Sequence, residues 1–395
     1  MPTIPPVMTP PAIDSDLLAQ TVRLERLEIL EVVLPQVESF RSAVGVRNER
    51  RAVYVRWHDG EGGWGIGECS CRPDPFFSGE FVAGARSVLS DFIFPALPAV
   101  GSVGDVERAL SRVRGWPFTV SAVLDALFDL LRRRGGLDPL DAWPHRRIER
   151  IPVGISLGLF ADPAAAVDRV AAAVDDGYRR VKLKIGPNMR RDTLEAIRAA
   201  YPDLYLGFDA NGTFGPADLD TVASLAELTP KMIEQPFAPG RLDLCQDLKQ
   251  QAPELGLCLD ESLTELGMVA AAHRLGALDE VNIKPGRVGG VLETVRILEY
   301  CRRHGLPAWV GGMFESGVGR VANLRVAACL PEATAHDLSP SSRYFTADVV
   351  AHPIEMGEDG CIDLSDDRPV ALDEANLERL LADRIVLAKS KGELC

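Results

Sequence analysis

The chain has 395 residues, 46% of them hydrophobic, and a formal net charge of -14 with a pI near 5.0. Such a length can bury a full barrel and leave room for a second domain, while the acidic balance disfavours nucleic acid and anionic membrane surfaces and suits a small-molecule ligand. No apolar run is long enough to span a bilayer, and the start MPTIPPVMTPP lacks the basic residues and apolar core of a signal peptide, so a cytoplasmic protein is expected.

Residues 1–21, with five prolines before Ala12, are expected to form a flexible tail. Leu24 to Pro35 reads as a strand, and 51–57 and 63–69 as a hairpin across HDGEGG, where Asp59-Gly60 is a turn signal. Between them, SFRSAVGVRNE is small and polar and reads as a mobile loop. Helices are expected at 78–95, with Ser78 as N-cap, at 103–113 and at 119–134, where Arg132-Arg133-Arg134 and Gly135-Gly136 supply C-terminal signals. Residues 22–150 therefore form an α+β domain. Eight cysteines are scattered rather than spaced as a disulfide framework and are expected to be reduced. Cys69-Ser-Cys71 has no second Cys or His pair at zinc-finger spacing.

From residue 151 the pattern changes to alternating strands and helices, beginning with IPVGISLGL (151–159). Helices are expected near 162–177, 188–200, 216–228, 241–253, 264–275, 289–304 and 316–330, and the last strands at 307–313 and 333–339. Eight strands with seven helices between them make a (β/α)8-type barrel, modified to β/α7β, over 151–345. Residues 346–395, with a last helix at 372–387, are expected to return to the first domain, which caps the barrel.

Five motifs organise this barrel: VKLKIG, GFDANG, MIEQP, LCLDES and VNIKPG. Their end residues Lys184, Asp209, Glu234, Asp260 and Lys284 are separated by 25, 25, 26 and 24 positions, the length of one strand, one helix and two loops. All five thus sit at the carboxyl ends of neighbouring parallel strands, where barrel active sites lie. Three carboxylates brought together need a counter-charge, and an all-oxygen set suits Mg²⁺, with Mn²⁺ able to substitute. The two lysine-bearing strands flank the acidic ones, an acid/base arrangement. The period of two also places Lys182 with Lys184, and Asn211 with Asp209, on common faces. A structural ion pair would explain one lysine and one acid, but not two lysines around three acids. The six histidines show no such placement.

KLK, DAN, EQP, DES and IKPG, in that order and spacing, resemble the enolase superfamily and, within it, the muconate cycloisomerase-like subgroup. GGMFESGVGR (311–320), DLSPSSRYF (337–345) and Arg287 in KPGR are similar to the o-succinylbenzoate synthase / N-succinylamino acid racemase family. The resemblance implies a cap closing over the barrel mouth and Mg²⁺ held by Asp209, Glu234 and Asp260. It makes Lys184 the base that removes a proton α to a carboxylate, with Lys284 opposite and Lys182, Asn211 and Arg287 in support. Arg287 is expected to tune Lys284 downward by like charge. Ser156, Phe40, Gly312 and Met313 are expected to face the substrate, and Cys71 is a further candidate. The implied activity is dehydration of 2-succinyl-6-hydroxy-2,4-cyclohexadiene-1-carboxylate in menaquinone biosynthesis, together with racemisation of N-succinylamino acids, by a homo-oligomer. A dedicated N-acylamino acid racemase or another enzyme of the subgroup remains an alternative. A dipeptide epimerase would carry Asp-x-Asp where this chain has Asp337-Leu338-Ser339, and a mandelate-racemase type would carry histidine where it has Gly311-Gly312-Met313. A non-catalytic binding barrel would have no reason to keep all five charges.

Overall fold

The computed structural model describes the backbone of residues 13–42, 45–141, 143, 147–160 and 162–394, and the side chains of these except 38–42 and 45–47. Strands β1 (Thr21–Arg23), β2 (Arg26–Ser42), β3 (Gly45–His58), β4 (Trp64–Cys69) and β5 (Val100–Ser102) come first. The stretch expected as a tail is partly structured. Ser15–Ala19 is a helical turn N-capped by Asp14, Leu17 is buried, and β1 pairs antiparallel with β5. The expected loop between β2 and β3 instead continues their hairpin, with Phe40 opposite Arg47 beyond a register break after Pro35. The apolar alternation of β2 and β3 buries Leu27, Ile29, Val53, Val55 and Trp57 on one face, and the Trp57 indole donates to the Arg23 carbonyl at 2.7 Å.

That face is covered by the helix Pro117–Arg133. Two glycines let it lie directly on β4. A Cβ at Gly65 would stand 2.1 Å from the Ala126 carbonyl oxygen, and one at Gly67 would stand 2.1 Å from that of Ala122. The helix is capped from a distance: Glu80 accepts from the amides of Phe118 and Thr119 and from the Thr119 hydroxyl at 2.8–2.9 Å. Ser78, expected as the cap of the preceding helix, donates instead to the Glu80 carbonyl, and that helix starts only at Val82.

The second unit is a parallel sheet built from β7 (Ile155–Leu157), β8 (Arg180–Lys184), β9 (Tyr205–Asp209), β10 (Met232–Glu234), β11 (Leu257–Leu259), β12 (Glu280–Ile283) and β13 (Ala308–Val310), each paired with the next in sequence order. Helices stand between them near the expected positions, such as Pro163–Asp175 and Val291–His304, while the 216–228 segment divides into a short helix between two 3₁₀ turns. Two strands differ from expectation. The 151–159 segment breaks at Val153-Gly154, and its first part, β6 (Arg150–Pro152), pairs antiparallel with β14 (Cys361–Asp363). The 333–339 strand is reduced to two bridges, His336 to Val153 and Asp337 to Gly311, which close the barrel between β7 and β13. Pro331 and Pro340 bracket it, so a longer ladder would lack amide donors.

The C-terminal segment returns to the cap, but not as one helix. Glu374–Leu380 is helical behind an Asp373 cap, and β15 (Leu381–Ala388) then pairs antiparallel with β2, giving the sheet order β15-β2-β3-β4. Ile385 and Leu387 pack on the core while Val386 faces out, a period of two that suits a strand. Seven described cysteines are free, six of them buried.

The glycine contacts generate a stability prediction. Gly65→Ala inserts a methyl group against helix backbone that cannot rotate away, so it should destabilise the protein by about 2 kcal/mol or more. A shift in the urea midpoint measures this; an unchanged midpoint contradicts the packing described.

Candidate active site

Strand register assembles the site. Lys184 is paired with Asp209, and Asp209 with Glu234, while Glu234 lies beside Cys258, two residues before Asp260. Asp209, Glu234 and Asp260 are 2%, 0% and 1% exposed. Buried carboxylates need partners, and each has a lysine. Lys184 Nζ lies 2.7 Å from Asp209 Oδ2, Lys182 Nζ lies 2.6 Å from Glu234 Oε2, and Lys284 Nζ lies 2.8 Å from Asp260 Oδ2. Lys182 also reaches Asp337 Oδ2 at 2.6 Å, and Asp337 accepts from Ser156 Oγ at 3.0 Å. Lys184 donates to Asn211, and the Asn282 amide donates to Glu234 Oε1 at 2.7 Å.

These contacts set the titration of the site. Burial, then the like charge of Asp209, pushes the Glu234 carboxyl up to about 8. Burial acts in the same direction on Asp209, but Lys184 and Lys182 outweigh it and hold that carboxyl at about 2. For Lys284, burial lowers the ammonium and Asp260 raises it. Arg287, with Nε 3.3 Å from Asp260 Oδ1, acts downward as expected but does not prevail, so Lys284 is raised overall.

The backbone between the acids is held by one amide side chain. Gln235, fully buried and with φ of 38°, accepts from the amides of Asp260 and Ser262 at 3.2 and 3.0 Å, and donates to Ser262 Oγ and the Phe237 carbonyl at 2.8 Å. Asn211 and Phe314 share the left-handed conformation, which costs about 1–3 kcal/mol per residue and clusters at functional sites. Glycine at 311 makes room for Lys284, since a Cβ there would stand 2.8 Å from Lys284 Cε.

A cavity of about 460 Å³ lies over these residues, between barrel and cap. Ser156, Lys182, Lys184, Asp209, Asn211, Lys284, Gly312 and Met313 line it, as do Arg50, Arg72, Phe76, Phe77 and Asp337. Glu234, Asp260 and Arg287 lie beneath the lining; Arg287 is 6% exposed, against Asp260 and 3.9 Å from Met313 Sδ. The Phe40 side chain lies outside the described residues. Cys71 does not line the cavity: it is buried in the cap core, and its neighbour Arg72 takes the wall position. Sequence reasoning also passed over Asp337 as a pocket residue, although it ends the eighth strand position as the five charged residues end theirs. His336 is structural: it accepts from the Val310 amide at 3.0 Å, and burial, then Arg180, pushes its imidazole down to about 3.

Among the described residues no three Asp, Glu, His or Cys side chains already form a metal-binding cluster, because each acid faces its lysine. The donor set nevertheless fits a hard divalent cation. All three groups are carboxylates, Asp260 Oδ1 has no hydrogen-bond partner, and Glu234 is pushed up by an excess of buried negative charge that a cation would relieve.

A β/α barrel with acids at the ends of three adjacent strands, lysines on both flanks and an α+β cap defines a class, and the chain belongs to it: residues 165–369 match the family described as enolase C-terminal domain-like. Enzymes of the enolase superfamily generally use Mg²⁺. A structure of a superfamily member from Enterococcus faecalis V583 superposes with a TM-score of 0.86 at 30% identity, covering 93% of this chain and 100% of that one. Within the superfamily the chain is a member of the o-succinylbenzoate synthase / N-succinylamino acid racemase family. It is 34% identical to an N-succinylamino acid racemase of Amycolatopsis, covering 83% of this chain and 89% of that protein. It is 33% identical to the o-succinylbenzoate synthase of Enterococcus faecalis, covering 85% and 92%.

The role of Gln235 generates a prediction. Gln235→Leu keeps the volume but leaves the Asp260 and Ser262 amides unpaired inside the protein, so it should cost about 2–4 kcal/mol. Urea unfolding checks this; a loss below about 1 kcal/mol would mean that these amides find other partners.

Proposed function

We propose that the protein is an o-succinylbenzoate synthase that dehydrates 2-succinyl-6-hydroxy-2,4-cyclohexadiene-1-carboxylate and also racemises N-succinylamino acids. The observation that carries this reading is the placement of Lys184 and Lys284 on opposite flanks of three acid-bearing strands, both lining one cavity. A proton α to a carboxylate is weakly acidic, and its removal gathers negative charge on the carboxylate oxygens. Mg²⁺ held by Asp209, Glu234 and Asp260 would supply the charge that offsets it.

The chain's own residues do the rest. Lys184, in its neutral form, takes the α-proton; as an ammonium it then gives that proton to the departing hydroxyl, so that water leaves and the ring becomes aromatic. Lys284 stays protonated on the opposite face and stabilises the accumulating charge. In racemisation the two exchange roles: Lys184 removes the proton from one enantiomer, and Lys284 delivers one to the other face. Asn211 and Asp209 orient Lys184, while Lys182 is fixed as a cation: burial lowers its ammonium, but Asp337, Glu234 and Asp209 outweigh burial and raise it well above its ordinary value. Ser156, Gly312 and Met313 shape the substrate's surroundings, with Phe40 assigned there by its place in the sequence.

Two expected outcomes follow. Chelation should abolish activity and Mg²⁺ or Mn²⁺ restore it, and metal binding should release a proton at neutral pH. Glu234 must be ionised to bind a cation, and with its carboxyl near 8 the affinity should rise as pH increases toward that value and then level off. Calorimetry in buffers of different ionisation enthalpy reads the proton directly, and pH-independent binding would contradict the assignment. For the lysines, N-succinylphenylalanine in D₂O is followed by optical rotation and α-deuterium incorporation. Lys184→Ala should lose exchange and dehydration by a factor on the order of 10³ or more; dehydration at the wild-type rate would reject Lys184 as the base.

A further inference from the structure

The cavity has two polar ends. At the barrel end stand the reacting groups. At the cap end stand Arg50 and Arg72, with the apolar side chains of Phe76, Phe77 and Met313 also on the wall. Arg50 is 6% exposed on β3, and its described partners are backbone carbonyls rather than carboxylates: Nη2 donates to Ser70 O at 2.9 Å and to Cys71 O at 3.2 Å, while Nε is buried without a hydrogen-bond partner. Because Arg50 grips the carbonyl of Cys71, the same turn presents the next residue, Arg72, to the cavity. Arg72 is ion-paired with Asp74, its Nε 3.6 Å from Oδ1, so Arg50 and not Arg72 is the arginine whose described partners include no carboxylate.

Two other acids nearby have partners of their own. Glu68 accepts from the Ser316 amide and hydroxyl and from the Gly319 amide, at 2.6–3.1 Å. Glu49, which also lines the cavity, stands 3.5 Å from Arg51. A buried guanidinium such as that of Arg50, with no carboxylate partner among the described residues, is costly, and it becomes a strong binding group when an anion arrives. Arginine's planar fork also matches a carboxylate in two places, which a lysine would not do.

We propose that Arg50 and Arg72 form an anion subsite on the cap that receives the distal carboxylate of a dicarboxylate substrate. This rests on the proposed function, in which the reacting carboxylate lies at the barrel end and the succinyl group extends away from it. Two anionic ends held by opposite walls fix the direction in which the molecule lies, and the aromatic side chains take the apolar part between them. Specificity for a succinyl over an uncharged acyl group then resides in the cap, away from the lysines that carry out the chemistry.

The test compares two ligands that differ only at that end. 2-Succinylbenzoate and 2-butyrylbenzoate share the ring carboxylate and the ketone, and the second has a methyl group in place of the distal carboxylate. Calorimetric titration of the Mg²⁺-loaded full-length protein should show the dicarboxylate bound about ten- to a hundredfold more tightly. Arg72→Gln and Arg50→Gln should each remove most of that ratio; a purely structural disturbance would weaken both ligands alike and leave it intact. Equal affinities in the wild-type protein, binding of neither ligand, or a ratio preserved in both variants would overturn the subsite. Failure of the catalytic reading shows differently, as absence of α-deuterium exchange with the binding ratio unchanged.

Discussion

The structure depends on three carboxylates being buried side by side at the ends of parallel strands. Asp209 and Glu234 are adjacent in register, and Asp260 follows on the next strand. Such a group repels itself, and the cost is set against Lys182, Lys184 and Lys284, each within 2.8 Å of one acid. The division is uneven: Asp209 is held low while Glu234 is held high, so the central acid is the one that takes up a proton in answer to the surplus of negative charge. Much of the surrounding architecture serves this arrangement. Gln235 fixes the backbone between two acids, Asn282 and Asp337 orient the charged groups from either side, and Gly311 clears the space that Lys284 fills.

The cap is tied to the same region by charge as well as by packing. Glu68, from β4, accepts from the buried amides of Ser316 and Gly319 at the start of the barrel helix Gly317–Ala327, so a cap carboxylate completes a barrel helix. In the other direction, the barrel turn at Pro285-Gly286-Arg287 packs beneath the cap: a Cβ on Gly286 would stand 2.8 Å from both Phe118 and Ser70. Lys284 and Arg287 are therefore positioned by a turn that has no spare room against the cap, and the barrel side of the cavity shares a close-packed seam with the cap side.

The barrel was legible in the sequence because its signal repeats. Five charged residues at nearly constant spacing define strand ends independently of any one strand's propensity, and the register places them together. The misreadings fall where a segment carries two signals or where its pairing is non-local. IPVGISLGL is apolar throughout, and only the partner β14, more than 200 residues away by sequence number, divides it at Val153-Gly154. Residues 372–387 hold a helical and an alternating pattern end to end, which a single helical reading merged. The Cys71 assignment failed for a similar reason: the side chain that faces the cavity at the end of a strand is set by where the turn begins, and there Arg72 faces in while Cys71 joins the core. Arg50 carried no local signal, being one basic residue among several on β3.

The pairing of β15 with β2 places nearly opposite ends of the chain in one sheet. On the ribosome, the barrel strands emerge with their loops and can pair with sequential neighbours, whereas β2 waits with an open edge until residues 381–388 have been made. The barrel can thus precede the finished cap during synthesis. The cap sheet is completed after the barrel, and until residues 381–388 have been made the nascent chain exposes a strand edge on which other nascent chains can dock.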